Sequence, residues 1–227
     1  MTLDPRLLAA VAASRSWYDE IFALHGIPVG SDGALWWAEG PPPRWHSVVK
    51  TLVPATDPAG ALRRMEPHPE GTVADSFGLL DLTGHGFDLL FAATWLHHPG
   101  VSPSSPPPDW TRVHDSGLMA RWNVLHDTEG VLPSDLWAHP RFTVLARQEG
   151  GQLTGGAILH DAGTVVGLSN AWSADGRPVD PSVPLAFAGE AHPGRAVVDY
   201  AWGEDLDTML TAGFEPLGPQ HVWIRQR

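Results

Sequence analysis

Residues 142–172, FTVLARQEGGQLTGGAILHDAGTVVGLSNAW, decide how the chain is read. Three apolar runs, Phe142 to Ala146, Gln152 to His160 and Thr164 to Trp172, are separated by Glu149-Gly150-Gly151 and Asp161-Ala162-Gly163. Glycine enters positive-φ turns without steric penalty, so short runs bounded this way predict an antiparallel meander. Upstream, Leu118, Met119, Trp122 and Leu125 fall on one face of a helix predicted around Gly117 to His126. Downstream, Ser173 to Pro184 is rich in Gly, Pro and Asp, and no helical periodicity shows as far as Glu190. The chain closes with a strand (Ala196 to Ala201), a helix (about Glu204 to Thr211) and a strand from Phe214 through Ile224.

The first half is read by the same signals. Asp4-Pro5 is an N-cap followed by proline at the first helical position, and His25-Gly26 supplies the stop. Between them Leu7, Leu8, Val11, Tyr18, Ile21 and Phe22 keep a period near 3.6, which predicts an amphipathic helix rather than a secretory segment. Strands are predicted at Ala34 to Ala38 and Ser47 to Val53, then a short helix opened by Asp57-Pro58 and running through Met65. A strand over Thr72 to Asp75, a helix over about Phe77 to Thr83 and a strand from Phe87 to Leu96 follow. Residues 99–108 hold five prolines and three serines without periodicity, so 99–109 reads as a linker between a half at 1–98 and a half at 110–227.

The halves share an ending. Val73-Ala74-Asp75, Asp81-Leu82, Gly86-Phe87 and Trp95-Leu96 parallel Val197-Val198-Asp199, Asp205-Leu206, Gly213-Phe214 and Trp223-Ile224. One strand–helix–strand unit used twice would produce this, and so would chance recurrence of common dipeptides.

Taken in order, the Phe142 strand, Gly151 to His160, Val165-Val166-Gly167-Leu168-Ser169-Asn170 and the closing Ala212 to Ile224 resemble the GNAT N-acetyltransferase superfamily. The resemblance covers roughly 110–227 and extends more weakly to 1–98. It implies an α/β (α+β) fold of two GNAT-like mixed-sheet halves with flanking helices. In the family the fourth and fifth strands splay to admit acetyl-CoA, and a substrate amine attacks the thioester. The implied function is an acyl-CoA-dependent N-acetyltransferase of unspecified substrate. The alternative is a catalytically inactive GNAT-fold module that binds a small molecule or a protein.

Holding the pyrophosphate of acetyl-CoA requires free N–H groups at a helix N-terminus, with glycines for close approach. Gln152-Leu153-Thr154-Gly155-Gly156-Ala157 matches the family's loop pattern but lies inside a predicted strand, and no loop and helix of that kind are predicted after Trp172. Asp57-Pro58 has the strand–turn–helix context, yet it sets a carboxylate and an N–H-less proline where an anion would bind. The expected cofactor-binding residues are therefore Leu168, Ser169 and Asn170, beside the strand of Tyr200. Tyr200 is the candidate acid and Glu204, with Asp205 beside it, the candidate base; the plainer readings are a half-buried strand tyrosine and side chains complementing a helix dipole.

Composition mainly excludes. A net charge of −12 in 227 residues disfavours phosphate backbones and anionic lipid, so neither nucleic acid nor membrane is an expected partner. A small-molecule amine or a protein remains. No cysteine is present, and the twelve histidines show no metal-ligand spacing, so no metal is expected. No run of 18 apolar residues exists, and a cytoplasmic location is expected. Ser169 lacks the glycine of a nucleophile elbow two residues on. Of the eleven tryptophans, Trp95, Trp223 and Trp122 are expected in cores. Adjacent Trp36 and Trp37 must point to opposite faces of a strand, leaving one to line a cleft or both to be covered by protein.

Overall fold

The computed structural model describes residues 3–102 and 104–226; Pro103 of the proline-rich segment lies outside them. In chain order the elements are α1 (Pro5–Leu24), β1 (Val29–Ser31), β2 (Leu35–Ala38), β3 (Val49–Thr51), α2 (Pro58–Met65), β4 (Thr72–Asp75), β5 (Phe87–His98), β6 (Trp110–Arg112), α3 (Ser116–Leu125), β7 (Phe142–Glu149), β8 (Gln152–Asp161), β9 (Val166–Ser173), α4 (Ser182–Ala191), β10 (Val197–Ala201), α5 (Gly203–Thr211) and β11 (Glu215–Arg225). Parallel and antiparallel strand pairs both occur, so the class is mixed α/β. Two compact units form, one of Met1–Trp95 with Leu217–Arg227 and one of Leu96–Pro216.

In the first unit the strand order is β1-β2-β3-β4-β11-β5. β3 and β4 run parallel, as a strand–helix–strand crossover over α2 requires, with Val49 opposite Val73 and Lys50 opposite Ala74. Asp4 and Asp57 cap α1 and α2 by accepting from Arg6 N and Ala59 N, each followed by proline at the first helical position. Alternation along the strands gives each sheet face its own helix. Leu35, Val49, Val73 and Trp223 form a buried cluster with Ala61 and Met65 of α2, while Trp36 packs with Phe22 of α1. Trp37 packs against the α2-side cluster under Arg64, so protein covers both indoles of the pair.

The predicted helix at 77–83 is absent. Asp75, 1 % exposed, accepts from Thr51 Oγ1 (3.1 Å), Phe77 N (3.2 Å) and Leu80 N (2.7 Å). Its carboxylate thereby takes the Leu80 amide proton, which would be the first ladder donor of a helix starting at Phe77. Gly78 follows at φ 63°, and only a 3-10 turn at Thr83–His85 remains.

The second unit has the order β10-β9-β8-β7-β6. The meander is present: β7 pairs β8 from Phe142–His160 to Glu149–Gln152, and β8 pairs β9 from Asp161–Val166 to Gly155–Ser173. Residues pointing to one face, among them Ala157, Leu159, Val166, Leu168, Val197 and Ala201, form a core that also includes Leu185 and Phe187 of α4 and Met209 of α5. On the opposite face lies α3, whose Trp122 is fully buried and donates to Leu145 O at 2.9 Å.

Sequence reading finds no helix between Ser173 and Glu190, yet α4 occupies Ser182–Ala191. Seven of its ten residues are buried, from Val183 through Gly189. A helix apolar on all sides carries no 3.6-residue polarity signal. Pro184 sits in its first turn, where a missing N–H breaks no bond of the ladder.

Candidate functional site

The parallel pair β9 and β10 pairs at two positions, Val166 with Val197 and Gly167 with Val198. Beyond them β9 continues through Leu168 to Ser173 and β10 through Asp199 to Ala201 without mutual pairing. By strand alternation from the last pair, Ser169 and Tyr200 belong to the face turned away from Leu168. The latter is 4 % exposed and belongs to the core on the α4 side.

A bulge alters β9 at this point. Asn170 adopts φ 52°, and the register against β8 shifts between Gly156 and Ile158. Two consecutive side chains, Ser169 and Asn170, consequently share one face. Asn170 Nδ2 donates to Ser169 Oγ at 3.0 Å, and its Oδ1 faces Nε2 of His126, just past the end of α3, at 3.3 Å. The Nε2–H tautomer of His126 suits this amide oxygen, which only accepts, and in that tautomer Nδ1 carries the lone pair. Burial lowers the His126 pKa, opposed by the Asn170 bond, so the ring is neutral at neutral pH. His126 stacks on Trp172 (5.9 Å, 16°), and Trp122 meets both rings edge-on. The indoles of Trp122 and Trp172 close over Gly156, where a Cβ would stand 2.6 Å from Trp172 Nε1.

On the α4 side of the parting, Asp199 accepts one hydrogen bond, from Tyr200 N at 2.7 Å. Burial holds its carboxyl well above the ordinary range, and Asp205 adds to this. Asp205 is itself raised, by partial burial and by Glu204. Glu204 lies exposed in the first turn of α5, where its charge complements the helix dipole. The structure therefore joins Ser169 to Asn170 by a hydrogen bond, sets Tyr200 on the neighbouring strand, and places Leu168 in the core and Glu204 on the surface.

Solved structures that share this architecture include several described as GCN5-related N-acetyltransferases or as members of the GNAT family. A GCN5-related N-acetyltransferase from Kribbella flavida superposes with a TM-score of 0.62 at 15 % identity, over 94 % of this chain and 95 % of that one. A putative acetyltransferase of the GNAT family from Novosphingobium aromaticivorans gives 0.61 at 13 %, over 96 % of both chains. A GCN5-related N-acetyltransferase-like protein from Streptococcus suis gives 0.56 at 13 %, over 95 % and 98 %. This chain has the GNAT fold. No family model matches its sequence, and no curated protein matches it.

In a GNAT fold that takes acetyl-CoA, the helix after the fourth strand must offer N–H groups to a diphosphate. Here that helix is α4, and its first turn offers none. Ser182 N donates to Asp180 Oδ1 (2.9 Å), Val183 N to Asp180 O (3.1 Å) and Leu185 N to Pro181 O (3.1 Å), while Pro181 and Pro184 have no N–H. In the preceding loop Asp175 Oδ1 accepts from Ser173 Oγ (2.5 Å) and Arg177 N (3.2 Å). These residues do not fit a diphosphate. The literal motif at Gln152 to Ala157 lies within β8, as its sequence context predicts. Among the described residues no group of three His, Cys, Asp or Glu side chains could hold a metal ion.

Sequence reasoning missed His126 and the role of Trp172, because their meeting depends on the bulge at Asn170. A concavity of about 450 Å³ is lined by Pro106 to Pro108, Trp110 and Phe187, but its charged groups, Arg112 and Glu190, already pair at 2.9 Å.

Proposed function

We propose that this GNAT-fold chain is a small-molecule-binding module whose ligand enters between β9 and β10, against Ser169, Asn170, His126 and Tyr200. The parting of these strands carries the reading, because their ladder pairs Val166 with Val197 and Gly167 with Val198 and goes no further. Neutral His126, anchored to Asn170, adds a ring nitrogen that accepts a hydrogen bond. The crossover β3-α2-β4 in the first unit repeats β9-α4-β10, with Asp75 and Asp199 in matching places, and we read the two as copies of one ancestral unit. The location assigned to the module is the cytoplasm, and its net charge of −12 disfavours nucleic acid as a partner.

A second reading, an acyl-CoA-dependent N-acetyltransferase with Tyr200 and Glu204 as acid and base, is favoured by Tyr200 lying on β10 just beyond its last pair with β9. Thiol release from acetyl-CoA in the presence of a panel of primary amines separates the two. The binding module is expected to release no thiol above the buffer rate, while fragments of a small-molecule library shift the backbone amides of Ser169 and Asn170 in NMR spectra. Saturable thiol release that falls in Tyr200→Phe would establish the transferase instead.

A further inference from the structure

Where a nucleotide-borne acyl donor would set its diphosphate, α4 already has an occupant of its own. We infer that Asp180 is a built-in substitute for that anion and that the ligand of the β9/β10 cleft carries no diphosphate; this rests on the cleft reading above. Three observations converge. The Asp180 carboxylate holds the Ser182 N–H at 2.9 Å, and its carbonyl holds the Val183 N–H at 3.1 Å, so one residue satisfies the two donors that a phosphate would otherwise approach. Prolines at 181 and 184 remove two more donors permanently, whatever Asp180 does. Compensating charge is also lacking. Of the basic residues in the loop before α4 there is only Arg177, and Asp175 lies 3.8 Å from its Nε.

The electrostatic sign follows directly. A helix N-terminus attracts anions through its uncompensated N–H groups, and a carboxylate seated there cancels that attraction and repels a second anion. A diphosphate would have to displace Asp180 and then remain within a few ångströms of it. A neutral or cationic ligand meets no such obstacle, and the raised carboxyls of Asp199 and Asp205 on neighbouring elements suit the same class.

The experiment uses the full chain, labelled with 15N, titrated with inorganic diphosphate to about 10 mM, with coenzyme A and pantetheine compared by calorimetry. In the wild type the amides of Ser182, Val183 and Leu185 are expected to stay in place. Coenzyme A should bind within about fivefold of pantetheine, since its nucleotide part finds no grip. Asp180→Gly, which frees the Ser182 N–H and removes the carboxylate, is expected to gain a diphosphate-induced shift at Ser182. A saturable shift in the wild type, a larger advantage for coenzyme A, or no shift in a folded Asp180→Gly protein overturns the assignment. Failure of the cleft reading looks different: no small molecule moves Ser169 or Asn170, and the diphosphate titration keeps its meaning.

Discussion

Lys50, the only lysine of the chain, is 1 % exposed on the α1 side of β3. Its ammonium donates to Ser14 Oγ at 3.0 Å and lies 4.0 Å from the Tyr18 ring centroid, with no carboxylate among its partners. Burial lowers its pKa to about 7, and nearby His46 is lowered to about 4, chiefly by its own burial. The folded-state pKa of Lys50 thus lies below its unfolded value of 10.5, so from about pH 7 upward the unfolded chain binds more protons than the folded one. Stability should rise with pH across roughly 7 to 9.5 and show no such contribution below 7. Lys50→Met, which keeps the length and removes the amine, is expected to stabilise the protein by about 1–3 kcal/mol at pH 7 and to flatten that rise. Urea unfolding at several pH values checks both, and equal slopes for the two proteins would remove Lys50 as the cause. Nothing in the sequence marked this residue. Its consequence comes from β3 alternation, which turns Val49 to one helix and Lys50 to the other.

At the scale of elements, legibility followed polarity contrast. The capped helices α1 and α2, the meander β7 to β9 and α3 all carry a turn or a period and lie where the sequence placed them, within a few residues, although of the face predicted for α3 Leu118, Met119 and Trp122 are buried while Leu125 is exposed. The misses are α4, apolar on every side, and residues 77–83, where one buried carboxylate outweighs helix propensity. Of the candidate site, Ser169, Asn170 and Tyr200 are reached through the family resemblance. Their alliance with His126 is not, because a one-residue bulge reverses which side chains share a face. The same bulge brings Trp172 over Gly156 beside Trp122, and this makes Gly156 a packing residue rather than a phosphate-loop glycine. Gly156→Ala should therefore destabilise the second unit by about 1–3 kcal/mol through overpacking against two indoles. It should also change the tryptophan fluorescence of the native state. In contrast, Gly163→Ala puts a Cβ into open space, although its φ of 85° adds backbone strain. A Gly156→Ala protein with unchanged stability and emission would show that the indoles can move aside.

For the whole molecule, the decisive fact is that the first unit is not contiguous. The sequence-based division at 99–109 leaves β11 with the second half, whereas from Leu217 onward the chain packs with residues up to Trp95. There β11 runs antiparallel to β4, with His221 opposite Asp75, Val222 opposite Ala74, Trp223 opposite Val73 and Ile224 opposite Thr72. Trp223 is 6 % exposed within the cluster of Leu35, Val73 and Phe87. A chain cut after Pro216 loses that ladder and that indole together. A large buried aromatic contributes about 3 kcal/mol or more, and the exposed edge of β4 would add unpaired main-chain groups. Against a domain stability of roughly 5–15 kcal/mol this is enough to unfold the first unit at ordinary temperature. Residues 96–216 keep their own core from Leu96 to Phe214, so limited proteolysis of the truncated chain should digest the segment up to Trp95 and spare the remainder. Equal protection of both segments would mean that β11 is dispensable, and that the matching endings of the two halves reflect chance spacing rather than a strand the first unit borrows from the far end of the chain.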